Sequence, residues 1–131
     1  MSIVIRAPGP LPAPERHASL ADFLDAKGPV VGFEFVLCIL YWLTRERGCA
    51  SVRVADLRRA AVSSGLSPRA ISWARLAYAR RTALIHKTSD GALRVTPRGE
   101  AVVRAFPDRR AAAEVRELQR VAVLRARPSV S

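Results

Sequence analysis

The sequence predicts a mainly helical domain with one β-hairpin set between helices, and three observations carry that prediction. Ala, Arg, Val and Leu dominate a chain in which aromatics make up only 6%, a composition that favours helix. The run over residues 35–43 is apolar on every side, as a helix at the centre of a core must be. Further on, "LIHKTSDGALRV" sets two short β-prone runs around Asp90-Gly91, a pair suited to a tight hairpin turn. The 131 residues suffice for one compact domain and a tail.

Residues 1–16 contain Pro8, Pro10, Pro12 and Pro14, which exclude regular helix and predict a flexible or extended arm. Ser19 is placed to cap a short helix over 19–26 whose Leu20, Phe23 and Leu24 share one side. "KGPVVG" breaks it. The central helix is expected over 33–47, ended by Gly48. "ASVRV" alternates and predicts a short strand at 51–53. A helix over 54–63 follows, with Leu57, Ala60 and Ala61 inward, and Gly65 stands where a helix end needs a left-handed residue.

Ser67 as cap and Pro68 at the first helical position start the next helix, predicted to run to Thr82. Strands over 84–87 and 92–95 form the hairpin. Thr96 and Pro97 then open a helix that reaches Phe106 and stops at Pro107. Asp108 caps a last helix extending to about Arg127, with Ala111, Val115, Leu118 and Ala122 along one side. That stripe either pairs with a second chain or covers the core of its own. The expected organisation is an N-terminal arm (1–16), a core domain (17–106) and a C-terminal helix (107–131) that serves as a dimerisation element or a lid.

Charge is the strongest global signal. Lys and Arg number 22 against 11 Asp and Glu, a formal net charge of +11. Residues 1–44 hold three bases (Arg6, Arg16, Lys27) and four acids (Glu15, Asp22, Asp25, Glu34). The other 19 bases and seven acids, a net +12, therefore lie in residues 45–131. A domain this basic attracts polyanions by releasing their counterions, nucleic acid foremost.

Other classes find less support. Two cysteines, Cys38 and Cys49, make neither a disulfide framework nor a metal-binding array, and Cys38 sits in an apolar run as a buried thiol. The opening "MSIVIRAPGPLPAP" has its apolar residues cut short by prolines, unlike a signal peptide. The most apolar segment, residues 30–43, contains Glu34 and is shorter than the roughly 20 residues that span a bilayer. The expectation is a cytoplasmic protein without a membrane partner. His17 and His86 have no carboxylate or cysteine at a useful spacing, and Glu114 and Glu117 lie among Arg110, Arg116 and Arg120 as intrahelical pairs. No phosphate loop, metalloprotease motif or nucleophile elbow is present. The sequence points to no enzyme and no cofactor.

The segment over 57–76 resembles a bacterial helix-turn-helix, with small Ala61 at the helix crossing, Gly65 in the turn, and Leu66 and Ile71 filling the wedge. The stretch "RRTALIHKTSDGALRVTPRGEAVV" is similar to the wing of regulators of the MarR and PadR type. In those, a "GLI"-like step ends the recognition helix and an "LTPKG"-like turn follows the hairpin. Here the steps are Ala83-Leu84-Ile85 and Val95-Thr96-Pro97-Arg98-Gly99, with Ala83 where glycine is usual. The resemblance covers about 33–106. It implies a winged helix-turn-helix (three-helix core plus a two-stranded β-hairpin wing) with additional N- and C-terminal helices, and sequence-specific binding of double-stranded DNA.

A continuous helix over 67–82 places Ala70, Ile71, Ala74, Ala77 and Tyr78 on one face, and Arg69, Ser72, Arg75, Leu76 and Ala79 on the other. The second face suits a major groove. Arg69 and Arg75 can reach guanine, Ser67 and the helix start can hold phosphate, and Ser72 can bond base or phosphate. Trp73 falls at the margin, either packing on the wing or a partner subunit or touching DNA. Lys87 and Arg94 flank the wing turn where backbone phosphates pass, and Arg98 starts the next helix. From Leu57 to Arg98 there are nine bases against Asp90 alone, whereas a merely solvated face mixes signs. The expected partners are duplex DNA and a second copy of the chain. The alternatives are a winged-helix module docking an acidic protein through Trp73, Leu76 and Tyr78, and an RNA-binding module.

Overall fold

The computed structural model describes residues 19–126, with side chains described through residue 117. The arm expected over 1–16, His17 and the side chains of Leu118 and Ala122 lie outside the described residues. The described chain is mainly helical, with one small two-stranded antiparallel sheet. Among the described residues no helix is long and apolar enough to cross a membrane.

Helix α1 (Leu20–Lys27) begins where Ser19 Oγ accepts the Asp22 amide at 3.1 Å and ends at Gly28, whose φ is 62°. It buries Leu20, Phe23 and Leu24 as the spacing predicts, and Lys27 besides. The Lys27 ammonium donates to the Phe106 carbonyl at 3.4 Å and lies over the Phe23 ring.

Helix α2 (Gly32–Tyr41) is the centre of the molecule. Val36, Leu37, Cys38, Ile39 and Leu40 are all inaccessible to solvent. Burial pushes the Cys38 thiol up to about 12, so it stays protonated as a small apolar group. Around α2 pack α1, α3 (Val54–Ser63), α4 (Trp73–Arg81), α5 (Pro97–Ala105) and strand β2 (Leu93–Val95). Its start lacks a capping hydroxyl, since Val31 holds the cap position. Glu34 serves instead, accepting the Val30 and Val31 amides at 2.8 and 3.1 Å and Arg109 Nη2 at 2.6 Å. Beyond Tyr41 the helix widens into a π-helical turn, Trp42–Glu46. There the Thr44 hydroxyl donates to the Leu40 carbonyl at 2.9 Å, an insertion into the helical ladder of the kind that loosens a turn.

The strand expected over 51–53 reduces to a single bridge, Val52 to Leu93. The reason is local. The Arg53 amide donates to Asp56 Oδ2 at 2.8 Å, which commits the chain to α3 immediately after that one pairing. The hairpin forms where the sequence predicts it, with β1 (Ile85–Lys87) antiparallel to β2 and Ile85, His86 and Lys87 opposite Val95, Arg94 and Leu93.

Two backbone positions hold the hairpin to the core. Ala83, where the resemblance leads one to expect glycine, has φ 63°. The Leu84 amide reaches back to the Ala79 carbonyl and the Ala83 amide to Arg80, the bond pattern of a helix ended by a left-handed residue. The geometry is therefore kept by a residue that is strained in adopting it. Gly99 is buried, and a Cβ there would strike the Leu84 carbonyl, with Val95 Cγ1 at 2.8 Å and Leu37 Cδ1 at 3.1 Å. The glycine of the "TPRG" step thus marks a close backbone crossing of α5 over Leu84, the residue that leads into β1.

The last helix, α6 (Arg109–Ala126), starts with Asp108 Oδ1 accepting the Ala111 amide at 3.0 Å. Ala112 is buried and Val115 half-buried against the core. Arg116 lies over the Phe33 ring and donates to the Tyr78 hydroxyl at 2.9 Å. The described part of α6 therefore covers the core of its own chain.

Gly99→Ala is expected to cost about 2–3 kcal/mol in urea denaturation, because a backbone carbonyl cannot yield to the new methyl. Ala83→Gly is expected to raise stability by about 0.5–1 kcal/mol, relieving the left-handed strain less the added entropy of the unfolded glycine. A destabilised Ala83→Gly would contradict the assigned turn.

Glu34 is 4% exposed. Burial raises its pKa, but the hydrogen bond from Arg109, those from the Val30 and Val31 amides, and the Arg109 charge together hold it below the ordinary 4.5. The folded value lies below the unfolded one, so its contribution is complete above about pH 5 and is lost as pH falls through the folded value. Glu34→Gln is expected to lose about 1–3 kcal/mol at neutral pH. Between pH 6 and pH 3.5 the wild-type stability should fall more steeply than that of the variant; parallel curves would remove Glu34 from this role.

Candidate nucleic-acid interface

Serine decides the local conformation after α3. Gly65, with φ 95°, turns the chain, and the Leu66 amide closes the turn on the Ala61 carbonyl at 2.9 Å. Ser67 Oγ accepts the Arg69 amide at 3.1 Å and, with Pro68, starts a short 3₁₀ turn, Pro68–Ala70. Ser72 Oγ then accepts the Arg75 amide at 3.2 Å and starts α4. Two capping hydroxyls in quick succession compete with the helical ladder. Ile71 between them takes φ −109° and ψ 75° with its side chain in the core.

The continuous helix expected over 67–82 is accordingly corrected to a 3₁₀ turn and a separate α4. The break shifts the helical phase, and the expected faces change with it. Ala70 and Ile71 are inward as expected, but beyond the break Leu76 and Ala79 are buried while Ala74 and Ala77 are exposed. Tyr78 is half-buried, its ring 4.8 Å from that of Phe33.

The break leaves two carbonyls without helical partners, and arginine takes both. Arg75 Nη1 donates to the Ala70 carbonyl and Arg58 Nε to the Ile71 carbonyl, each at 3.1 Å. The Arg75 side chain also crosses Gly32, where a Cβ would collide with its guanidinium. Arg75 and Ser72 are half-buried members of the scaffold and do not form an outward row with Arg69. Ser67 and Arg69 are exposed on the 3₁₀ turn, and Lys87 and Arg94 are exposed on the hairpin. Arg98 is half-buried and donates to the Arg116 carbonyl at 3.1 Å, which makes it a tie between α5 and α6.

The register of the hairpin puts Lys87 and Arg94 on its two opposite faces. Lys87 looks onto a cleft of about 320 Å³ between α4 and the hairpin, walled also by Arg53, Trp73, Arg80, Leu76 and Leu93 and lined by no carboxylate. Arg53 holds the tip of the hairpin, with Nη2 donating to the Asp90 carbonyl at 2.7 Å. Asp90, the single acid between Leu57 and Arg98, turns its carboxylate into the hairpin. The Thr88 hydroxyl and then the Ala92 amide donate to it and hold its pKa below the ordinary value.

Among the described residues the ion-paired carboxylates lie elsewhere: Glu100 with Arg45 and Arg104, Asp56 with Arg59, and Glu34 with Arg109. None reaches Arg69, Arg80, Arg81, Lys87 or Arg94. Arg53 and Arg80 were absent from the sequence-derived set. Arg53 meets the hairpin only through the fold, so no local pattern announces it. Arg80 follows Trp73 by seven residues, a spacing that shares a helix face once α4 is known to start at Trp73.

A second cleft, of about 580 Å³, lies among the start of α1, the π-helical turn and α3, where Trp42, Arg47, Cys49, Asp56 and Arg59 meet. Its one carboxylate is the Asp56 already paired with Arg59. Among the described residues no three His, Cys, Asp or Glu side chains come together as a metal site would need. Compared with known proteins, the chain matches no family model, no curated protein and no solved structure.

Proposed function

We propose that the protein is a winged helix-turn-helix module that binds double-stranded DNA sequence-specifically and acts as a transcriptional regulator. One observation carries the reading. The exposed cations of the 3₁₀ turn, α4 and the hairpin have no carboxylate partner among the described residues, and two of them, Arg80 and Lys87, line a carboxylate-free cleft. An exposed face of one sign is the footprint of a polyanion. The order α3, left-handed turn, α4 and hairpin agrees with the resemblance drawn from the sequence.

The corrected geometry revises the mechanism. The side of α4 offered to a major groove is Trp73, Ala74, Ala77, Arg80 and Arg81, with small alanines between larger ends. Ser67 and Arg69 stand at its start, suited to phosphate. Lys87 and Arg94 follow the backbone from the hairpin. A dimer joined through the outer side of α6 would read two half-sites about one helical turn apart. The reading needs no cofactor, no membrane and no catalytic group, and its setting is the cytoplasm.

The exposure of Trp73, 69%, also favours a second reading, in which the same cations and the indole dock an acidic protein. Affinity for random duplex DNA across a salt series separates the two. The DNA reading expects log affinity to fall against log salt with a slope of several. Arg69→Ala with Arg80→Ala should reduce that slope by about 2, one for each phosphate left unneutralised. Arg75→Ala should leave the slope unchanged and lower stability by about 1 kcal/mol, through the Ala70 carbonyl it abandons. Absence of duplex DNA binding at low salt refutes the reading, and duplex RNA competing as well as DNA moves it to RNA.

A further inference from the structure

Trp73 is the one exposed Phe, Tyr or Trp side chain among the described residues, and it is held rather than free. The Arg58 guanidinium lies over its ring at 5.1 Å, and Arg58 is itself fixed by its bond to the Ile71 carbonyl. Arg58 takes no part in the wall of the cleft between α4 and the hairpin, whereas Trp73 does. The cleft is thus lined by the indole and not by the arginine that lies over it.

The chemistry of that cleft is specific. Trp73 forms an aromatic wall, Leu76, Ala77 and Leu93 an apolar floor, and Arg53, Arg80 and Lys87 supply positive charge. Aromatic cations find no counter-charge there. A flat ring joined to an anion satisfies every wall at once, stacking on the indole and leaving its charge to the arginines and the lysine. At about 320 Å³ the space is at the low end of pockets that enclose small molecules, enough for one base with its sugar and too small for a helix. A base inside a duplex has both faces stacked and is withheld from such a wall.

We infer that the cleft between α4 and the hairpin captures one unpaired nucleobase of a nucleic-acid strand, stacked on Trp73, with the flanking phosphates held by Arg80 and Lys87. The inference rests on the nucleic-acid reading and adds to it. The module would engage ends, bulges or extruded bases in addition to the duplex groove.

The two tryptophans make the test direct, because Trp42 is 6% exposed and Trp73 is 69% exposed. Solvent-quenchable emission belongs to Trp73. Three probes suffice: a blunt duplex, the same duplex with one overhanging thymine, and the same with an abasic overhang. The thymine overhang is expected to bind about 5- to 100-fold more tightly than the blunt duplex, the span that stacking of a single base supplies, and to quench Trp73. The gain should vanish with the abasic probe and in Trp73→Ala, and should largely persist in Trp73→Phe. Equal binding of blunt and overhanging duplexes, or a gain retained by Trp73→Ala, overturns the inference while leaving duplex binding intact. Equal quenching by free thymidine monophosphate at the same concentration overturns the strand as its source. Failure of every duplex to bind overturns the nucleic-acid reading beneath it.

Discussion

Helix α2 has no side that tolerates water, and the rest of the fold follows from covering it. Its residues from Val36 to Leu40 are fully buried, so neighbours are needed all round: α1, α3, α4, α5 and β2. A helix with its own polar stripe would have let one of these positions stay open. Because none is open, the helices on either side of the Gly65 turn and the hairpin are pressed onto one axis, and their outward sides end up adjacent. The basic face is a by-product of that packing. The same helix is entered through Glu34, whose carboxylate caps the first turn and receives Arg109 from α6. The start of α6 is thereby fastened to the centre of the fold.

Arginine plays two parts here, and composition alone does not separate them. Arg58 and Arg75 satisfy carbonyls released by the break at Ile71, Arg53 holds the hairpin turn, and Arg98 and Arg116 tie α6 to the body. Arg53, Arg58, Arg75 and Arg98 use the planar five-donor guanidinium as a backbone clamp, and Arg116 uses it on the Tyr78 hydroxyl. Arg69, Arg80, Arg81, Lys87 and Arg94 make no ion pair with a described carboxylate. A charge count treats both sets alike, so the net charge overstates what is available to a partner. What matters for binding is the second set, and it is concentrated on three neighbouring elements.

Much of the fold was legible in the sequence, and the reasons are particular. Ser19, Thr96-Pro97 and Asp108 mark helix starts by side-chain chemistry that acts within three residues, and each does cap a helix. Asp90-Gly91 marks a turn just as locally. The reading failed where two local signals competed: Ser67-Pro68 and Ser72 each start a helix, and a single 3.6-residue wheel drawn through both put Leu76 outside and Ala74 inside. It also failed where partners are distant, since nothing near Arg53 announces Asp90 and nothing near Arg75 announces Gly32. Of the candidate site, Ser67, Arg69, Trp73, Lys87 and Arg94 are exposed as a binding surface requires, while Ser72 and Arg75 belong to the framework.

A ribbon of two three-residue strands is normally a floppy appendage. Here its tip is moored to the cap of α3 by the Arg53 bond to the Asp90 carbonyl, and its strand β2 is stitched to Val52. The gap between ribbon and helix behaves like the jaw of a fixed spanner rather than an adjustable one. Its width is set before anything arrives, so a guest of the right thickness loses little entropy to ordering the host, and one of the wrong thickness finds no accommodation.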